Sequence, residues 1–273
     1  MSLILNRAKE TTATTGTGTV TVSGAVVPFQ TWAAAQAGTS TTRRYSYMIE
    51  DGNAWEIGEG IFNEGAGTIT RNLVASSTGS LLNLSGSATI SCVAKEKDSP
   101  QVIEKVDLNG LATYAFLDIP QEFEDLELEI VGRTNSGAAI GATTHQPAVR
   151  VNNLATSIYD SQRQFSQNAT GAADQRLATA EWTAPSFPGT LITDTLVAGY
   201  WRIRLHGYAR TVLYKTAEHQ ARQPNAATSG NAYVMWGALT ARLTAAITRL
   251  DLFFLTGGVQ FTSGSYAILR GLP

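Results

Sequence analysis

Leu126, Leu128 and Ile130 alternate with Glu127 and Glu129, and Trp201, Ile203 and Leu205 alternate with Arg202, Arg204 and His206. A two-residue period places the two sets on opposite faces of an extended chain, whereas a helix would spread both around its circumference. These segments therefore predict strands with one wet face, as in antiparallel sheets. The β-branched stretch "TTATTGTGTVTVSG", residues 11–24, alternates Thr and Val from Thr17 to Val22 and reads the same way. Further strands are predicted over 45–50, 55–62, 67–73 and 88–95, separated by the turn clusters "DGN", "NEGAG" and "SSTGS". "RLDLFFLTGGVQFTSGSYAILRGLP", broken at Gly257-Gly258 and at Ser263-Gly264-Ser265, reads as a final hairpin. Residues 133–147 and 160–190 are polar and rich in small side chains, and are expected to be long loops of the kind that often carry function. A short helical turn is expected around "AADQRLATAEW".

With 273 residues there is chain for two ordinary domains. The charged patch "KEKDSPQ", closed by Pro100, lacks apolar periodicity and reads as the join. The expected division is 1–97, a linker at 98–103, and 104–273. Charged residues make up only 15%, against about 25% in a typical domain, so Thr, Ser, Asn and Gln must build most of the surface. Twenty Lys and Arg against 22 Asp and Glu leave a formal charge of −2, which supplies no pull toward nucleic acid or an anionic membrane. The apolar run in "MSLILNRAKE" is too short for a signal-peptide core, and no stretch approaches the roughly 20 residues of a membrane helix. A soluble chain without nucleic-acid partner or membrane insertion is expected.

Signals for chemistry are sparse. Cys92, in "ATISCVA", reads as strand packing, and His145, His206 and His219 lie in separate segments without metal-ligand spacing. No nucleophile elbow, phosphate loop or dinucleotide fingerprint occurs, so no cofactor and no enzymatic activity are expected. Asp51-Gly52-Asn53 is a tight-turn signal. A hairpin there would pair Tyr47 and Ile49 with Trp55 and Ile57, and would set Glu50 opposite Glu56 on the other face. Adjacent carboxylates can form an acid/base pair. With no groove or third group nearby, they are expected instead as rim or interface residues. Arg202, Arg204, His206, Arg210 and Lys215, interleaved with Trp201, Tyr208 and Tyr214, form a basic and aromatic run that could meet a protein or an acidic glycan. Arg43-Arg44 are expected to flank a strand. The residues expected at an interface or glycan contact are Trp55, Glu56, Trp182, Trp201, Arg202, Arg204 and Tyr208. All five tryptophans, which include Trp32 and Trp236, are candidates for burial between copies.

Several ordered motifs carry a resemblance. "NRAKETTATTGTGTVTVSGAVVPFQTWAAA", "YSYMIEDGNAWEIGEGIF", "GTITRNLVASSTG" and "LNLSGSATI", spanning residues 6–97, resemble a β module of tailed-bacteriophage virion proteins. "YAFLDIPQEFEDLELEIVGR", "HGYARTVLYKT" and the C-terminal "AAITRLDLFFLTGGVQFTSGSYAILRGLP", within 104–273, are similar to the β-sandwich that ends phage tail-fibre and appendage proteins. The resemblance implies an all-β chain of a small N-terminal module followed by a jelly-roll-like sandwich. It also implies a virion structural role as tail- or neck-associated appendage or fibre, with capsid decoration, head spike and host-glycan receptor as alternatives. Its implied partners are capsid, neck or tail proteins and further copies of the chain, in a homotrimer by analogy.

Overall fold

The structure is a computed structural model that describes residues 4–36, 44–95, 98–137, 145–167, 170–190, 196–223 and 233–273. The chain divides into two compact units, Met1–Ser99 and Pro100–Pro273. It is all-β, and among the described residues the only α-helix has five residues.

In the first unit the strands are β1 (Lys9–Thr12), β2 (Thr15–Gly16), β3 (Val20–Thr21), β4 (Arg44–Asp51), β5 (Ala54–Asn63), β6 (Thr68–Ile69), β7 (Asn72–Ser76), β8 (Leu84–Ser85) and β9 (Ala88–Cys92). The main sheet runs β1-β9-β4-β5-β6-β3, with β7 also on β5. The stretch read as one strand over 11–24 is three short pieces: Gly16, at φ 84°, turns the chain between the second and the third, and Gly24, at φ 121°, lies beyond the last. Helix α1 (Trp32–Gln36) packs Trp32 edge-on against Tyr45, with ring centroids 6.0 Å apart, and beside Phe62 at 5.8 Å. Burying an indole removes roughly 200 Å² from water, worth about 5 kcal/mol of transfer energy. Thr31 caps the helix by accepting from the Ala34 N–H at 3.0 Å, and the buried Glu10 carboxylate accepts from the Trp32 N–H at 2.7 Å.

In the second unit the strands are β10 (Gln101–Asp107), β11 (Thr113–Phe116), β12 (Asp125–Gly132), β13 (Pro147–Val151), β14 (Tyr159–Gln167), β15 (Thr170–Thr179), β16 (Trp182–Thr183), β17 (Gly199–His206), β18 (Lys215–Gln223), β19 (Tyr233–Ala241), β20 (Leu250–Phe254) and β21 (Tyr266–Leu272). They form an eight-stranded sheet, β10-β21-β12-β17-β18-β19-β14-β15, and a four-stranded sheet, β11-β20-β13-β16. Leaving out the hairpins β14–β15 and β18–β19, the remaining strands in chain order are arranged first-eighth-third-sixth in one sheet and second-seventh-fourth-fifth in the other. That is the two-Greek-key order of a jelly roll. The inserted hairpins extend one of its sheets sideways. Both sheets contribute to one core, which includes Leu128, Ile130, Val149, Trp182, Trp201 and Leu252.

Several expectations change here. The segment 160–190 holds the hairpin β14–β15 and strand β16, so it is not a loop, and "AADQRLATAEW" is strand where a helical turn was expected. The alternation is hidden because β15, at the sheet edge, exposes nearly every side chain and has no apolar face to show. Residues 101–103 of the expected linker belong to β10, where Gln101 and Val102 pair with Gly271 and Arg270 of β21 and the register shifts at Ile103. Strands β20 and β21 do not form a hairpin. They lie in different sheets, because the jelly-roll path crosses between layers at each such connection. Of the region 133–147, residues 138–144 lie outside the described residues.

Candidate functional site

The three carboxylates of "IEDGNAWE" go to three different places. The β4–β5 loop has two residues, Gly52 at φ 61° and Asn53, so Asp51 pairs with Ala54, Glu50 with Trp55 and Ile49 with Glu56. Glu50 and Glu56 therefore lie on opposite faces, and the expected carboxylate pair does not form. Trp55 and Ile57 likewise face away from Tyr47 and Ile49, since shifting register by one residue exchanges every side chain between faces. Glu50 reaches Lys9 at 2.8 Å, and Asp51 accepts from the Ser85 N–H and hydroxyl, each at 2.6 Å. Trp55 stays on the surface at 41% exposure.

Glu56 is fully buried, and the outward contact expected of it does not occur. Oε1 accepts from the Tyr47 hydroxyl at 2.7 Å and Arg71 Nε at 3.0 Å, and Oε2 accepts from Arg71 Nη2 and from the Leu82 N–H at 2.8 Å. Arg71 also donates to the carbonyls of Gly16 and Gly18, both at 3.3 Å, and of Leu82 at 2.8 Å. Burial alone would raise the Glu56 pKa, but Arg71, the Leu82 N–H and Tyr47 outweigh it and hold it below the usual carboxylate value. Burial and the adjoining carboxylate push the Tyr47 hydroxyl far above its ordinary pKa. All four hydrogen bonds that the Glu56 carboxylate accepts tie separate segments of the chain together. Gly58 is part of the same device, because a Cβ there would sit 2.4 Å from the Tyr47 hydroxyl.

In the second unit, Trp182, Trp201 and Tyr208 are all buried in the core, which removes them from any surface contact. Their polar atoms have inward partners: Trp182 Nε1 donates to the Thr240 carbonyl at 3.2 Å and Trp201 Nε1 to His219 Nδ1 at 3.2 Å, while the Tyr208 hydroxyl donates to the Pro120 carbonyl. Burial, then Arg163, lowers the His219 pKa to about 4, so its imidazole is neutral near pH 7. Of the basic run, Lys215 is buried against the Arg210 carbonyl and Arg210 meets Glu124. Arg43 lies outside the described residues, and Arg44 pairs with Glu59 at 3.2 Å. Cys92 is partly buried, its Sγ accepts from the Leu5 N–H at 3.0 Å, and burial pushes its thiol pKa up to about 11.

What remains outward is a broad face of the eight-stranded sheet. Strand registers set Arg270, Glu127, Arg204, Glu218, Ala238 and Gln162 in one transverse row, and Glu129, Arg202, Gln220, Trp236 and Gln164 in the next. Trp236 is 49% exposed and its indole N–H donates to Gln164 Oε1 at 3.2 Å. Beside it Arg202, Arg204, Glu127, Glu218 and Gln220 line a depression of about 240 Å³. The arginines are matched by acids: Arg204 to Asp125 at 3.0 Å, Arg202 to Glu127 at 4.0 Å and Arg270 to Glu127 at 3.2 Å. Asp125 also receives the Gly207 N–H and His206 Nδ1, each at 3.0 Å; these and Arg204 override the burial that would raise its pKa and hold it low. The result is a charge-balanced platform with one half-exposed indole. It offers stacking and hydrogen bonds, the needs of a recognition surface. Trp236 was legible as an interface candidate. Gln164 and Gln162 were not, because they lie in the segment read as loop.

Among the described residues no group of His, Cys, Asp and Glu side chains converges on a metal site, and no helix is long and apolar enough to cross a membrane. Fold and face together define a jelly-roll sandwich widened by inserted strands and carrying an exposed aromatic and polar platform. Compared with family models, curated proteins and solved structures, the chain matches none.

Proposed function

We propose that this chain is a non-enzymatic structural component of a tailed-phage particle, an appendage or fibre protein associated with tail or neck. Its first unit docks on other virion proteins and its second presents a recognition surface. The reading rests on the ordered N-terminal motifs and on one structural observation, a jelly roll whose sheet is widened to eight strands and carries the half-exposed Trp236 on its open face. The exposed Trp55, Ile61 and Val74 on the sheet of the first unit suit protein contact. A homotrimer is proposed by analogy. The test is localisation by electron microscopy, with a tagged copy on purified particles. Label at the tail or neck supports the reading. Label on the head replaces it with a decoration or head-spike role, and unlabelled particles overturn it.

A host-glycan receptor role is the second reading, favoured by the half-exposed Trp236 beside Arg202 and Gln164. On a glycan array, specific binding lost in Trp236→Ala supports it, and an array blank for the assembled protein counts against it.

A further inference from the structure

Strand β15 ends the eight-stranded sheet, and among the described residues no further strand lies beyond it. Gln167 pairs with Thr170, and a pair so close to its turn can only be one that exchanges both backbone hydrogen bonds. Along the same register Ala172, Asp174 and Arg176 turn their N–H and C=O groups toward β14. The alternate residues Gly171, Ala173, Gln175 and Leu177 turn theirs outward, where no hydrogen bond from the described residues meets them. At Ala178, with φ 53°, the N–H points back to Asp160 Oδ1 of β14 at 2.8 Å, so Leu177 is the last residue of the open ladder.

Exposed edges are ordinarily blunted by proline, lysine, a bulge or a covering segment. Strand β10, at the other end of the sheet, has its register shifted at Ile103 and carries Glu104, Lys105 and Asp107. Strand β15 runs unshifted from Thr170 to Arg176, has neither proline nor lysine, and leaves Leu177 61% exposed. Its two charges are Asp174, which accepts from Arg163 Nε at 2.7 Å, and Arg176. Their side chains are 35% and 36% exposed, so each is open to a further partner.

The order of these residues decides what fits. Two copies of β15 can pair antiparallel about a two-fold axis, and residues directly opposite then share a face. An axis at Asp174 would set two aspartates against each other, and an axis at Arg176 two arginines; like charges directly opposite destabilise a strand pair. An axis at Ala173 would set the charges opposite Ala172 and Thr170 and leave Leu177 uncovered. An axis at Gln175 sets Asp174 opposite Arg176 of the second copy, in both directions, and lays Leu177 against Ala173 of that copy.

We propose that β15 is a self-association edge: two chains pair β15 with β15, antiparallel about a two-fold axis at Gln175, and join their sheets. Gln175 with its own copy, and Ala173 with Leu177 in each direction, exchange about six backbone hydrogen bonds. The row holding Trp236 and Gln164 continues into Ala173. Both Trp236 indoles therefore stand on the same side of the joined sheet, roughly 25–30 Å apart. The contact rests on the strand edge alone and is independent of the virion reading. A trimer formed through other surfaces would pair by it into six chains.

The test is sedimentation equilibrium of the full chain over roughly micromolar to millimolar concentrations, the range suited to a contact smaller than about 1,200 Å². The average mass should double and rise no further. Gln175→Pro removes an N–H that bonds nothing within the chain, so it should abolish the doubling with the melting temperature kept. Gln175→Cys should give a disulfide-linked dimer on mild oxidation, because opposite residues of a hydrogen-bonded pair lie about 5.5 Å apart at Cα. Ala173→Cys, four residues out of register with its own copy and so roughly 13 Å away, should not. The native chain, whose Cys92 is partly buried, is the control, and cross-linking decides the matter if Gln175→Pro misfolds. A mass that never rises, doubling that survives Gln175→Pro, or equal cross-linking at Ala173 would overturn the proposal. So would growth beyond doubling, the outcome expected if β15 pairs with β10 of the next copy.

Discussion

Glu56 and Arg71 form an ion pair with almost no access to water. Removing one member strands the other charge, which typically costs 3–5 kcal/mol, whereas replacing both with apolar groups can be nearly neutral. Glu56→Gln should therefore lower first-unit stability by about 3–5 kcal/mol in urea unfolding, and Glu56→Leu with Arg71→Met should restore most of it. The tryptophans separate in the same way. Trp182→Ala should cost about 3–5 kcal/mol as a core truncation, and Trp236→Ala less than about 0.5 kcal/mol. His219 carries a pH dependence. Its folded pKa, about 4, lies below the unfolded 6.5, so on acidification the unfolded chain binds a proton that the folded chain refuses. Stability contributed by the neutral ring is complete above pH 6.5 and declines between pH 6.5 and 4, by about 3 kcal/mol in total. Melting temperatures across that window should fall in the native protein and fall less in His219→Gln, whose amide can still accept from Trp201. The depressed Asp125 and Asp174 act lower, losing their contribution as pH drops below about 4.

At the scale of elements, the inserted hairpins decide what the second unit can present. Strand β19 joins β18 to β14, and their close approach needs Gly237, where a Cβ would lie 2.2 Å from the Gln162 carbonyl oxygen. Gly237→Ala should force β14 away from β19 at about 1–3 kcal/mol, the usual range for overpacking. Hydrogen exchange should then show lost protection in β14 and β15 and retained protection in β12 and β17. These elements were also the hardest to read from sequence. "SQRQFSQ" does alternate, with Arg163 and Phe165 on one side and Gln162 and Gln164 on the other, but its inward set is half polar. An apolar periodicity cannot reveal a strand whose buried face is an arginine held by an aspartate. Strands β4, β5, β12 and β17 were legible because each has several apolar inward residues or a clear turn beside it.

The whole molecule is two units with separate cores, one around Trp32 and Tyr45, the other around Trp182 and Trp201. Calorimetry on point variants should expose this: Glu56→Gln should shift only the transition of the first unit, and Trp182→Ala only that of the second. A single transition shifted equally by both would show that the units unfold as one.

The sequence by itself determined an all-β chain, its low charge and many of its strands, because a period of two and Gly-rich turns are local properties. It could not determine which face of a strand is covered, since alternation defines two faces and leaves the choice to pairing register. The β4–β5 register turned Glu56 inward and Trp55 outward. Sheet membership was equally out of reach: β20 and β21 are neighbours in sequence but enter different layers. Which tryptophan meets water, and which arginines share an aspartate, depend on contacts between residues far apart in the chain. Only packing of the two sheets settled them, by burying Trp182 and Trp201 and leaving Trp236 on the open side.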